Sequence, residues 1–298
     1  MALETDLSEA NGWIPEPTSS EVLTKVYAES AVEASARRVT MTAPTVSVPR
    51  FESDGADIVA EHAEIPVQQA TLDEVTLRAV KFANRFAISV EDQRDVLVDV
   101  LQAKKLAWAN SFSRKLDNAC LGVTVAQDGT GTAPFESVYA ASNGEGNVTQ
   151  TAGALNYEML NELFVDLESG DYNGNIVVIA HPSFKGALRN LKDAAGDRVV
   201  GDPLGAGVPT IFGHELRFST GARTSAAATD KPTGNPLLIV GNSEHMILGV
   251  RDGVESQVSD LPRWETDEVE LKMRARRAFA PATGQAFYVV EQTAAAGV

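Results

Sequence analysis

The sequence contains a single cysteine, Cys120, among 298 residues. One cysteine excludes an intrachain disulfide and any cysteine-cluster zinc site. Its place in an amphipathic helical pattern makes it a small buried hydrophobe. Long apolar runs are missing too: no window approaches the roughly 18 uninterrupted apolar residues that a membrane-spanning helix needs. The first residues, Met1 to Asp6, are acidic, so no secretory signal is expected and a cytoplasm-like compartment is. Positive charge is scarce. Against 41 Asp and Glu stand 25 Lys and Arg, a net charge of −16 that argues against binding nucleic acid by phosphate neutralisation.

The scarcity is also local. No Lys or Arg occurs between Leu116 and Phe184, while Asp117, Asp128, Glu136, Glu145, Glu158, Glu162, Asp166, Glu168 and Asp171 are all acidic. The stretch from Glu52 to Glu74 is likewise acid-only, and basic residues gather at Lys81 to Lys115 and Lys272 to Arg277. Two readings follow: solvated faces of alternating sign, or patches that meet across subunit contacts and fix their register.

Catalytic and ligand-binding patterns are absent as well. There is no G-x-G-x-x-G after a strand and no P-loop. The histidines His62, His181, His214 and His245 lie far apart and never at helical i, i+4 spacing, so the sequence carries no metal signal. Gly241-Asn242-Ser243-Glu244-His245 has the outline of a nucleophile elbow but lacks its second glycine and the helix that must follow. No catalytic, cofactor-binding or metal-ligating residue is expected, and no cofactor.

What is present is an ordered series of elements. Residues 1–43 read as an irregular arm around Trp13-Ile14-Pro15-Glu16-Pro17, then a helix from Ser19 or Ser20 to about Arg38. Residues 44–80 read as a two-stranded excursion, with period-2 alternation at Val46, Val48 and Phe51 and again at Val75, Leu77 and Ala79. Such a ribbon is marginal alone and must rest on another surface, a neighbouring subunit being the natural one. Residues 81–150 hold the longest helix, capped at Ser89 and running to Leu121, with Leu97, Leu101, Trp108, Phe112 and Leu116 as its apolar stripe, followed by an aperiodic flap. Residues 151–250 are mixed: helices at Tyr157–Glu168 and Pro182–Leu191, strands at Ile176–Ala180, Leu237–Val240 and Met246–Val250, short strands within Val208–Phe218, and an exposed small-residue loop at Ala222–Gly234. Residues 251–298 end in strands, Val269 to Ala275 alternating with charge and Ala286 to Val290 returning after Gly284. The fold class is α+β.

This order resembles that of tailed-bacteriophage major capsid proteins with the Hong Kong 97 fold, most like those from phages of actinobacteria. The resemblance is carried by Trp13-Ile14-Pro15 with Ser30 and Arg37-Arg38; by Val75 to Lys81 leading into Ile88-Ser89-Val90-Glu91-Asp92; by Phe112 to Asp117 with Gly122; by Leu238 to Asn242; and by Arg274, Arg277 and Ala286-Phe287. It spans nearly the whole chain. In that family the parts are an N-arm, an extended E-loop (here 44–80), a peripheral domain with a spine helix (about 90–121), and an axial domain (151–250), the C-terminal strands returning to the peripheral domain.

The resemblance implies a structural subunit, not an enzyme. It implies self-assembly into hexamers and pentamers that close as an icosahedral shell around phage double-stranded DNA, without sequence-specific binding. It also implies a virion location after assembly in the host cytoplasm. A separate scaffolding protein, a portal and decoration proteins are the implied partners, since no long charged N-terminal extension acts as a built-in scaffold. Lysine–asparagine crosslinking is not expected, because Lys81 falls at the base of the E-loop. The alternatives are an encapsulin-like compartment shell and a soluble α/β enzyme with no site visible in sequence.

Overall fold

The computed structural model describes residues 30–51, 58–60, 62, 72–95, 99–152, 155–191, 210–260 and 265–293. The arm around Trp13-Ile14-Pro15, most of the 52–71 stretch and Leu97 lie outside the described residues. Two sheets organise the chain. A four-stranded sheet has the order β1 (Arg37–Thr40), β10 (Met246–Ser259), β11 (Glu268–Pro281), β4 (Val80–Ser89). A six-stranded sheet has the order β5 (Val148–Thr151), β12 (Phe287–Gln292), β9 (Leu237–Asn242), β6 (Ile176–Ala180), β8 (His214–Phe218), β7 (Thr210–Ile211). β2 (Thr45–Phe51) and β3 (Leu72–Arg78) pair only with each other, antiparallel, as the ribbon.

Alternation decides which face of each strand is buried. In β11, Leu271, Met273 and Ala275 are buried while Lys272 between them is exposed. Leu271 pairs with Phe86 and Ala275 with Phe82 on β4, and Phe82 meets Phe112 edge-on, ring centroids 5.4 Å apart. That apolar face therefore receives α3 (Val100–Leu121), on which Trp108 stacks over Phe112 at 5.4 Å. β6 is buried along its whole length, as a central strand covered on both faces must be. On one face it meets α5 (Tyr157–Ser169) and α6 (Lys185–Asn190) through Leu160, Leu163, Phe164, Phe184 and Leu188. On the other, Val177 and Ile179 join the core built by the C-terminal half of α3, Phe135 and Phe287.

Several elements differ from the sequence reading. The helix expected to reach Arg38 ends earlier: α1 is Ala31–Ser35, and Arg37-Arg38 lie in β1, parallel to Ile247–Val250. The long helix does not run unbroken from Ser89. A short α2 (Val90–Asp95) comes first, then Asp99 leaves helical geometry at φ −69, ψ 86 and caps α3 by accepting from the Gln102 N–H at 3.0 Å. The 22 residues of α3 span about 33 Å. The flap holds α4 (Val138–Gly144), capped by Ser137, and β5. The 222–234 loop is exposed only in part: Ala226, Ala227, Lys231 and Thr233 are exposed, but Ala222 and Ala228 are buried and Thr224 pairs with Asn235. The C-terminal segment divides: β10 and β11 lie in the four-stranded sheet, but β12 enters the six-stranded one between β5 and β9.

The ribbon's described part rests on its own chain. Leu77 is fully buried with Met41, Ile247, Ala278 and Ala280, and Val46, Val48 and Val75 pack against the same cluster. Arg50 pairs with Asp73 across the ribbon and donates to the Ala282 carbonyl at 2.5 Å. The surface that the sequence requires under the ribbon is, for its described part, the chain's own sheet, where a neighbouring subunit was the natural candidate.

Candidate functional site

The residues examined for chemistry are not brought together. His181, at the end of β6, accepts from the Arg223 Nε–H at 3.1 Å, and its Nδ1 lies 2.8 Å from Ser183 Oγ. Burial, aided by the Arg223 charge, pushes its pKa down to about 4. His214 stacks on Phe164 at 5.4 Å and His245 meets Tyr172 edge-on at 5.3 Å, two aromatic packing roles. No group of three or more metal-ligating side chains occurs among the described residues. The 241–245 stretch is turn chemistry: Asn242 Oδ1 accepts from the Glu244 N–H at 2.9 Å and caps a single turn of 3₁₀ helix. Cys120 is fully buried, and burial followed by the charges of Asp117 and Glu33 raises its thiol pKa well above the ordinary value, which leaves no thiolate nucleophile.

The structure gathers other polar groups instead, around the point where the N-terminal segment joins the body. Asp117, on α3 and fully buried, accepts from Ser30 Oγ at 2.5 Å and Ser219 Oγ at 2.6 Å, and from the N–H groups of Ala31 and Val32 at 3.2 and 3.3 Å. Burial raises its pKa despite these four hydrogen bonds, each of which opposes the rise. Asn118 beside it donates to the carbonyls of Gly221 and Arg223 and accepts from Ser225 Oγ. Arg277, only 6% exposed, pairs with Glu33 at 2.9 Å, donates to the Asp252 carbonyl at 2.6 Å and lies over Phe112. One carboxylate and one guanidinium thus clamp α1 from two sides. Ser30, Asp117 and Arg277 all lie in stretches that carried the resemblance in sequence; Glu33 does not, and nothing in the sequence paired these residues with one another.

Two surfaces remain as candidates for contact with other chains. Lys81 and Lys115 share a cavity of about 250 Å³ with Trp108, Phe82 and Phe112, between β4 and α3. Lys104, grouped with Lys115 by sequence, is elsewhere: its ammonium lies 4.6 Å from the Phe86 ring centroid. On the ribbon, Ile58 is fully exposed, and Val59 beside it is exposed too. Large apolar side chains in that state mark contact surfaces when they cluster.

A protein-family model, described as the phage capsid family, matches residues 11–291. The chain belongs to the phage capsid family. A solved structure from Mycobacterium phage Bobi matches with a TM-score of 0.76 at 20% identity, covering 96% of this chain and 98% of that one. One from Microbacterium phage Oxtober96 matches at 0.71 and 18%, covering 97% and 98%. The capsid of an empty GTA particle matches at 0.67 and 17%, covering 97% and 99%. No curated protein matches the chain by sequence. The α+β architecture is that of these capsid subunits, and the Hong Kong 97-like layout is consistent with them. This capsid subunit is a shell-forming structural protein of a virion, not an enzyme, and nothing in the matches favours an encapsulin-like compartment.

Proposed function

We propose that the subunit assembles into hexamers and pentamers that close as an icosahedral shell around phage double-stranded DNA, with assembly in the host cytoplasm. A separate scaffolding protein, a portal and decoration proteins are its partners beyond itself. In this reading residues 1–43 form the N-arm and 44–80 the E-loop. The four-stranded sheet with α3 is the peripheral domain, and the six-stranded sheet with α5 and α6 is the axial domain.

The observation that carries the reading is the ribbon. Its base is fastened to its own sheet, whereas its sequence from Glu52 to Glu74 is acid-only and Ile58 is left fully exposed. An acidic segment with bare apolar side chains gains stability by covering a basic, aromatic-lined surface of a neighbour, and the cavity holding Lys81, Lys115 and Trp108 is one. The negative net charge of −16 suits a container that holds DNA without gripping it. Replacing Glu61→Lys and Glu64→Lys is expected to cut shell yield about tenfold or more, measured by sedimentation of assembled particles. Unimpaired assembly of the double variant would refute the ribbon's role.

A further inference from the structure

The six-stranded sheet has two flanks of opposite electrical character. On one flank, β5 pairs with β12 only, so among the described residues no strand covers its outer edge, where Thr149 and Gln150 are exposed. An uncovered edge is a template for contact with another chain. Beside it, α5 presents Glu158, Glu162 and Asp166 at i, i+4 and i+8, successive turns of one helix face. They line a groove of about 700 Å³ together with Asn147, Thr149 and Tyr288. Val165, next to Asp166, is 51% exposed. None of the three carboxylates forms an ion pair among the described residues, and the sequence offers no Lys or Arg from 116 to 184 to supply one.

The other flank is cationic. α6 carries Lys185 and Arg189, and the Lys185 ammonium lies 4.5 Å from the Phe218 ring centroid, against the end of β8. Arg189 is exposed. Arg217 on β8 is paired with Glu215 at 2.7 Å, so the net positive charge of this flank, among the described residues, is that of Lys185 and Arg189.

We propose that the α5–β5 flank of one subunit docks against the α6–β8 flank of a second copy, head to tail, and so sets the order of subunits around a ring. The proposal rests on the shell-subunit reading and adds a contact to it. A contact between two different patches of the same chain is heterologous, and repeated at a fixed rotation it closes a ring. A two-fold contact through the same flank would instead set three carboxylates against three more, which like-charge repulsion forbids. Val165 supplies exposed apolar area at the edge of the acidic face, and the charges beside it fix the register.

A charge-swap series on the full-length protein tests this, under conditions in which the wild type forms shells. Glu158→Lys with Glu162→Lys is expected to lower the assembled fraction about tenfold or more, and Lys185→Glu with Arg189→Glu to do the same. Combining all four is expected to restore at least about half of wild-type assembly, because the attraction is rebuilt with its signs exchanged. Circular dichroism and urea unfolding of each variant separate lost contact from lost fold. If either reversal assembles like the wild type, or the fourfold variant is folded yet no better than its parents, the contact is wrong. A wild type that forms no shells would defeat the shell reading instead. The contact is then judged by the same swap pattern in small oligomers, using sedimentation velocity.

Discussion

Asp117 gathers four buried donors: two serine hydroxyls and the first two N–H groups of α1. Its own burial is costly, as the upward displacement of its pKa shows. The cost is offset only while all four donors are in place. Asp117→Ala is therefore expected to destabilise the subunit by about 3 kcal/mol or more in urea unfolding, since unsatisfied buried donors cost roughly 1–3 kcal/mol each and some are rewetted. A change below about 0.5 kcal/mol, the usual size for surface sites, would show that the cluster anchors nothing. The sequence marked Asp117 at the end of the Phe112–Asp117 stretch but could not show its partners. Ser30 lies 87 positions from it and Ser219 lies 102, so the site exists only after α3 has docked. Arg277 and Glu33, 244 positions apart, are hidden for the same reason. Phe212 shows another local feature set by packing. It takes a positive φ of 50° beside Gly213 in the β7–β8 turn, and its ring rests edge-on against Phe164 at 5.1 Å.

At the scale of elements, legibility followed hydrophobic periodicity. α5 and β11 could be read because burial on one face imposes periods of 3.6 or two residues on their composition, and β6 because burial on both faces leaves a short continuous apolar run. α4 could not: its seven residues, Val-Tyr-Ala-Ala-Ser-Asn-Gly, are too few and too small to show a stripe, and it is held by docking and by the Ser137 cap. The break before α3 was hidden because neither Pro nor Gly marks it; Asp99 is non-helical and caps α3 through its own side chain. The 219–236 loop, of which 222–234 was read as exposed, is tied down by Asn118 and by the Arg223–His181 contact. That tie is pH-sensitive. A histidine whose folded pKa is depressed from 6.5 to about 4 contributes stability that is intact above pH 6.5 and is lost as pH falls toward 4. Asp117, with its raised pKa, has the opposite sign: its contribution is complete below 3.8 and is lost as pH rises through its folded value. His181→Gln keeps an acceptor for Arg223 without a titrating ring. The urea midpoint of the wild type should fall more steeply than that of the variant between pH 6.5 and 4; parallel curves would remove His181 from the account.

The whole molecule has the build of a part rather than a machine. Much of its polar investment goes into fastening α1 and the 219–236 loop to a shared core. Its sequence charge is sorted into an acid-only ribbon segment, an acid-only stretch from 116 to 184, and stretches at 81–115 and 272–277 where basic residues gather, a segregation that in the proposed reading serves contacts between copies. The central claim, that these contacts close a shell, is tested most directly by electron microscopy of the purified full-length protein, with light scattering on the same sample. Closed shells several tens of nanometres across, holding no second protein, are the expected result. A protein that stays monomeric at high concentration, with a scaffolding partner supplied, would contradict it.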